Sequence, residues 1–414
     1  MNSSPLTKLA IIGAGPVGLS LALHASRSLP HFDITLFDAR SADKDVSQDP
    51  RTLAISLGSV QLLQRLKAWP EHAAQPIVHV HVSQVPPTWP AGPMRDSTSG
   101  SIQPKVDLSA AELGVPQLGA VLAYGPLVTA LQQAWDQAVA REPSRLHTRF
   151  GVPVRGLKPL RSDSAKAGRG VEVDAEIAEA YDLAVVAEGG VFADQARKGV
   201  RRDYAQTAWV GTVELEGGRR GWAFERFTRH GPLALLPLLC APSQGDTLRA
   251  ALVWCVPSAE DPVAGLTAVQ RLAVLNTLLP SEAGRLAQLG ELKSFALGLN
   301  AEKTLVQDRR VFIGNAAQTL HPVAGQGFNL GLRDVFGLVQ ALQFSPDLDS
   351  ALRRVEWARA PDRWALMATT DFLARSFTWK GPGLGAARGL ALAVMDQLPP
   401  LKQALARQMM WGWR

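Results

Sequence analysis

The chain has 414 residues, 46% of them hydrophobic and 19% charged, enough to bury a large core as two or three domains or one large α/β unit. Its 43 Lys plus Arg against 37 Asp plus Glu leave +6, scattered without a basic block, which speaks against a nucleic-acid partner, and no stretch is polar enough to forbid folding. The two cysteines, Cys240 and Cys255, have no CxxC spacing and no histidine cluster nearby, so neither a disulfide framework nor a zinc site is suggested, which fits a reducing, cytoplasmic compartment.

The apolar run from Leu9 to Ala25 is interrupted by Gly13, Gly15, Pro16, Gly18 and His24, so it does not read as a signal peptide or a membrane span. It reads as a strand over 9–12, a tight turn at Gly13, Gly15 and Gly18, and a helix. A second strand, DITLFDAR, reaches Asp38 about twenty residues past the third glycine. This is the setting of a dinucleotide-binding turn. The first glycine makes the turn, the second admits a pyrophosphate at the helix N-terminus, and the third lets helix and strand pack closely. An acid at Asp38 suits a ribose hydroxyl and not a 2′-phosphate, which leaves NAD or FAD.

Further along, VPPTWPAGPMRDSTSGS (85–101) reads as a loop. PLVTALQQAWDQAVA (126–140) reads as a helix with Leu127, Leu131, Ala134, Trp135 and Ala138 on one side, and LRAALVWCVP (248–257) as a strand. Glu225 and Arg226 sit in an apolar stretch where they either face a cavity or form a surface pair. About 300 residues after the first glycine turn comes a second one. Val311, Phe312 and Ile313 form a strand, Asn315 follows at its end, and Gly314, Gly325, Gly327 and Gly331 crowd the loop before a helix carrying Leu332, Val335, Phe336, Val339 and Leu342 on one face. Two distant glycine turns converging on one long cofactor favour FAD. The helix N-terminus, with the N–H groups of Gly327, Phe328 and Asn329, suits negative charge on the flavin ring. The tail PPLKQALARQMMWGWR places Leu401, Ala404, Leu405 and Met409 on one helical face, with Lys402 and Arg407 elsewhere. Packing on the FAD domain is the favoured use of that face, ahead of contact with a membrane.

Four segments carry a family resemblance. VFIGNAAQTLHPVAGQGFNLGLRD (311–334) is similar to the second FAD motif of the class A flavin hydroxylases, above all to their ubiquinone-biosynthesis branch. QDPRTLAISLGSVQLLQRLKAW (48–69) resembles that branch's DxRxxALS segment, AFERFTRHGPLALLPL (223–238) its substrate-sheet motif, and TTDFLARSF (369–377) its C-terminal helix. The resemblance implies an α/β fold: a Rossmann-like FAD-binding domain (1–78, 120–200 and 303–345), an inserted mixed β-sheet substrate domain (79–119 and 201–302), and C-terminal helices (346–414), as in para-hydroxybenzoate hydroxylase. It implies FAD held by Gly13, Gly15, Gly18, Asp38, Arg51, Glu188, Gly189, Gly314, Asn315, Gly325, Gly327, Phe328 and Asn329, with Arg51 near the pyrophosphate. Pro322, Gly325, Gln326 and Gly327 would form the backbone wall at the flavin. His321 would either hold that turn or serve a proton path.

The implied reaction is hydroxylation of the aromatic ring of a polyprenylated phenol through a flavin C4a-hydroperoxide, with NAD(P)H as electron donor and O2 as co-substrate, and with no metal. Peripheral contact with the inner face of the membrane, and a complex with other ubiquinone-biosynthesis enzymes, follow from the same resemblance. Two positions depart from the wider class. Asn315 stands for the usual Asp, and Glu188, followed by Gly189 and Gly190, stands for the Asp of the middle motif. FAD is expected to be held all the same; how reduced nicotinamide binds is left open. The rival readings are a hydroxylase of another small aromatic, marked by a narrow polar pocket, and a non-catalytic flavoprotein that organises a biosynthetic complex.

Overall fold

The structure is a computed structural model that describes residues 6–85, 105–160, 170–189, 196, 198–240, 247–322, 325–376, 392 and 394–412. The loop expected at 85–101 lies, after Val85, outside the described residues, as do Phe377 and the last two residues of the tail.

Leu9, Ala10, Ile11 and Ile12 are all buried, the unbroken apolar pattern of a parallel strand covered on both faces. They belong to Thr7–Ile12, central in a six-stranded sheet ordered Val306–Gln307, Arg310–Phe312, Leu183–Val186, Thr7–Ile12, Phe32–Asp38, Leu146–Phe150. Every neighbouring pair is parallel except the hairpin at the first edge. The two faces part by residue parity. Leu9 and Ile11 pack under α1 (Pro16–Ser28), α3 (Tyr124–Arg141) and α5 (Gln326–Phe344), whereas Ala10 and Ile12 meet Val171 and Val173 of a small antiparallel sheet. Pro16 opens α1 because its missing N–H is not needed there.

A larger sheet runs Gln318–Thr319, Lys293–Ala301, Val200–Glu216, Leu248–Pro257, Pro232–Leu238, Trp222–Phe227, His79–Gln84, Lys105–Ser109, with Arg285–Leu289 beside Val200–Glu216. One face, carrying Phe224, Leu233, Leu235, Leu252 and Trp254, is closed by α4 (Ala268–Leu278), whose start is fixed by a capping box between Thr267 and Gln270. The opposite face turns toward the six-stranded unit, α2 (Leu57–Arg65) and the C-terminal helices α6 (Leu348–Ser376) and α7 (Pro399–Trp411).

The tail does pack on the chain itself, but through a different face from the one its periodicity suggests. Ala406 and Met410 are buried, while Leu401 and Ala404 are exposed. The reason lies in the partner surface. Gly58 of α2 leaves a gap whose missing Cβ would fall 2.8 Å from the Met410 carbonyl, and Trp411 donates its indole N–H to Gln61 Oε1 at 3.1 Å.

Candidate cofactor and substrate site

The strands after Thr7–Ile12 and after Leu183–Val186 lie on opposite sides of this adjacent pair, so their carboxyl ends open a crevice of the kind that α/β sheets use for ligands. Glycine brings the flanking turns together there. Gly13 has φ +103° and its missing Cβ would lie 2.9 Å from the Glu188 nitrogen, while a Cβ on Gly18 would lie 1.8 Å from the Gly13 carbonyl oxygen. Gly189 faces Asn315, and Gly314 packs on Val17 of α1; Gly331 of α5 approaches Gly314 Cα to within 3.0 Å of where its own Cβ would be. The three segments expected to hold the cofactor therefore meet at these glycines.

Asp38 ends its strand with both carboxylate oxygens engaged: Ala14 N–H donates to Oδ2 at 2.5 Å and Arg40 N–H to Oδ1 at 2.7 Å. It braces the first glycine turn, with lone pairs left for a ribose hydroxyl at the crevice. Burial, and then the nearby Asp38, push the Glu188 carboxyl above its usual range. A cofactor diol or other donor between the two would relieve that repulsion.

Arg51 is aimed by a residue that the sequence gave no reason to choose. Tyr124 donates its N–H to the Arg51 carbonyl at 2.7 Å, and the Arg51 guanidinium lies 4.0 Å from the centre of the Tyr124 ring. The phenol oxygen is in turn the nearest atom to the open side of Gly15, 3.6 Å from a Cβ there. The Tyr124 ring thus links the Arg51 cation to the open side of the turn. Asp49 shares that cation at 2.7 Å and raises its proton affinity.

At the second turn, Gly325 caps α5 with φ +59°, a left-handed position that favours glycine. Asn329 ties the helix start to the neighbouring strand: its Oδ1 accepts from Ser56 N–H at 2.8 Å, and its amide donates to the carbonyls of Ala54 and Gly325, both at 3.0 Å. Gln326 is buried and accepts from Arg333 at 3.2 Å, so its side chain is turned into the protein. Pro322 is half-buried; residues 323 and 324 lie outside the described set. His321 is buried, with Nε2 2.9 Å from Gln206 Oε1 and its ring edge-on to Tyr204, and burial lowers its pKa to about 4. Gln206 in turn donates to the Ala374 carbonyl of α6 at 3.0 Å.

Beneath the turn, Asp334 accepts from Gln318 and Arg359, each at 3.0 Å, and Arg359 also donates to Asp362 at 2.9 Å. Arg363 donates to Gln318 at 2.5 Å and Arg333 to Asp362 at 3.3 Å. This buried set of ions locks α5 and α6 to the glycine turn. No spacing in the sequence marks it, because its members lie on two helices that only the fold brings together.

The residues present fit a flavin dinucleotide. Among the described residues no atom lies within 4 Å of where a Gly327 Cβ would be, so the first turn of α5 presents backbone to open space. Phe328 beside it is half-buried. No group of three or more His, Cys, Asp or Glu among the described residues could hold a metal, and no helix among them is long and apolar enough to cross a membrane. Glu225 and Arg226 prove to be neither a surface pair nor a pair at all. Successive residues of Trp222–Phe227 point to opposite faces, and Arg226 donates to the Leu278 carbonyl on the α4 side at 3.0 Å.

No family model matches the chain. It is 29% identical over 431 residues to ubiquinone hydroxylase UbiL of Rhodospirillum rubrum, covering 99% of this chain and 90% of that protein. It is also 29% identical to the 3-demethoxyubiquinol 3-hydroxylase of Escherichia coli, covering 97% of this chain and 98% of the relative. Among solved structures, Klebsiella pneumoniae HpxO complexed with FAD and uric acid shares the fold at a TM-score of 0.67 and 18% identity, over 98% of this chain and 97% of that one. Along almost its full length the chain is thus similar to proteins named as ubiquinone-biosynthesis hydroxylases, and it shares its fold with FAD-dependent monooxygenases.

Proposed function

We propose that this protein is an FAD-dependent monooxygenase that hydroxylates the aromatic ring of a polyprenylated phenol in ubiquinone biosynthesis. The observation that carries the reading is the convergence of two glycine turns, with Gly314 and Gly331 packed on Val17, opposite a sheet face that is mostly apolar. FAD, when bound, supplies the redox chemistry that activates O2, with NAD(P)H as the electron source. The chain's own part is to bind and enclose. The N–H groups at the start of α5 favour negative charge on the ring, Asp38 and Arg51 hold the ribose and pyrophosphate, and the apolar sheet face excludes water from the reacting centre. His321 and Gln318 are held by Gln206 and by the Asp334 ion set, which supports a role in fixing the turn.

Asn315, Gln318 and His321 resemble the pattern of 2-polyprenyl-6-methoxyphenol hydroxylase, and this resemblance supports the ring position we assign. An apolar face is what a prenyl chain requires and what a small polar aromatic does not. The substrate would be drawn from the bilayer, by peripheral contact or by transfer within a complex of pathway enzymes. A mass-spectrometric profile of prenylated lipids from cells lacking the gene tests the whole reading. A prenylphenol short of one oxygen should accumulate and disappear when the gene is restored. Unchanged ubiquinone and no such intermediate would overturn it.

A further inference from the structure

The sheet face turned toward the cofactor unit carries two apolar clusters. Toward the second glycine turn, Ala208, Cys255, Leu297 and Leu299 pack with Leu320, the residue before His321. Toward α2 and α7, Ala223 packs with Val80, Val82 and Leu236. Where the two clusters border each other runs one cross-strand row, paired in register from Val82, at the edge of the second, through Glu225 and Ala234 to Val253 and Val210, at the edge of the first. All five are half-buried, so the row keeps accessible surface along the middle of this face.

Glu225 is the one ionisable side chain in that row. Among the described residues it makes no hydrogen bond and no ion pair, and its electrostatic neighbour is the buried Cys255 thiol two residues beyond Val253 on the same face. Enclosure pushes its carboxyl up to about 8. A largely enclosed carboxyl that makes no hydrogen bond costs a fold stability unless a ligand completes it. Prenyl carbon offers it nothing; a hydroxyl does.

We propose that Glu225 receives the hydroxyl edge of the substrate ring, so that the carboxyl decides which ring carbon is presented to the flavin while Val82, Ala234, Val253 and Val210 take the hydrocarbon. This rests on the hydroxylase reading and deepens it. Glu225 is a substrate-contacting residue that fixes ring position, and the neutral acid both donates to and accepts from a phenol oxygen.

The test is a titration of the FAD-loaded protein with a short-chain prenylphenol in detergent, followed by the change in flavin absorbance, alongside the methyl ether of the same phenol. Wild type should prefer the phenol about ten-fold, Glu225→Leu should lose that preference with unchanged FAD content, and Glu225→Gln should keep most of it. The Glu225→Leu protein should also melt at a higher temperature than wild type in the absence of substrate, because an unpartnered acid has been removed; a merely structural glutamate gives the reverse. Equal binding of phenol and ether by wild type overturns the proposal even where Glu225→Leu fails to fold, as does an undiminished preference in Glu225→Leu. If wild type shows neither a spectral response to the prenylphenol nor turnover of it, the hydroxylase reading itself fails.

Discussion

The two glycine-rich turns use the same residue for different ends. In the first, the protein itself forbids a side chain: Gly13 sits against the Glu188 backbone and Gly18 against the Gly13 carbonyl. In the second, Gly314 and Gly331 are likewise hemmed in by each other and by Val17, yet Gly327 faces open space with a helical backbone that any residue could adopt. A glycine forced by protein atoms reports on the fold. Gly327, which no described atom forces and which lies at the cofactor turn, is left for a ligand to explain.

Gly18→Ala is the substitution with the largest expected effect on this comparison. A Cβ 1.8 Å from a backbone oxygen cannot be relieved by a rotamer, so the helix must separate from the strand and the cofactor unit should not form. Soluble, cooperatively melting Gly18→Ala protein would show that the packing at the first turn is not what fixes its glycine.

Acid should act next, and at the second turn. His321 titrates at about 4 in the folded chain against its usual 6.5, so between these values the unfolded chain binds a proton that the folded chain refuses. Its contribution is full above 6.5 and is lost as pH falls toward 4, by up to roughly 3 kcal/mol. His24, also lowered to about 4 by burial and by Arg65 and Arg27, adds to the same slope. Urea midpoints measured from pH 7 to 4.5 should fall more steeply in wild type than in His321→Gln; identical slopes would contradict the buried, neutral state of this ring.

How much of this was legible from the residues alone depends on the range of the interaction. The first turn, its strand and Asp38 are local, and the run of buried residues through Leu9–Ile12 follows from parallel pairing covered on both faces. The tail helix was legible as a helix but not in its packed face, because the gap at Gly58 that receives Met410 lies about 350 residues away. Tyr124 was invisible for the same reason: what makes it part of the site is a backbone bond to Arg51 and proximity to Gly15, and neither leaves a spacing. The opposite fates of Glu225 and Arg226 were in principle readable from strand alternation, but which of the two faces α4 would cover was not.

The smallest effect is the most telling for the comparison. Gly327→Val adds an isopropyl group whose Cβ has no described atom within 4 Å beyond the helix's own backbone, at a position whose backbone is already helical. In the absence of cofactor the folding midpoint should stay within about 0.5 kcal/mol of wild type, since a β-branched residue near a helix start costs little and replacing glycine recovers some backbone entropy. With FAD the same methyl groups would occupy space that the flavin needs, and affinity should fall at least about ten-fold, or about 1.4 kcal/mol. Isothermal titration of FAD into the apo forms, paired with their urea midpoints, separates the two terms. Wild-type affinity in Gly327→Val would mean that the space beside α5 is not where the flavin lies; a large drop in the apo midpoint would mean that this glycine, like those of the first turn, is held by the protein after all.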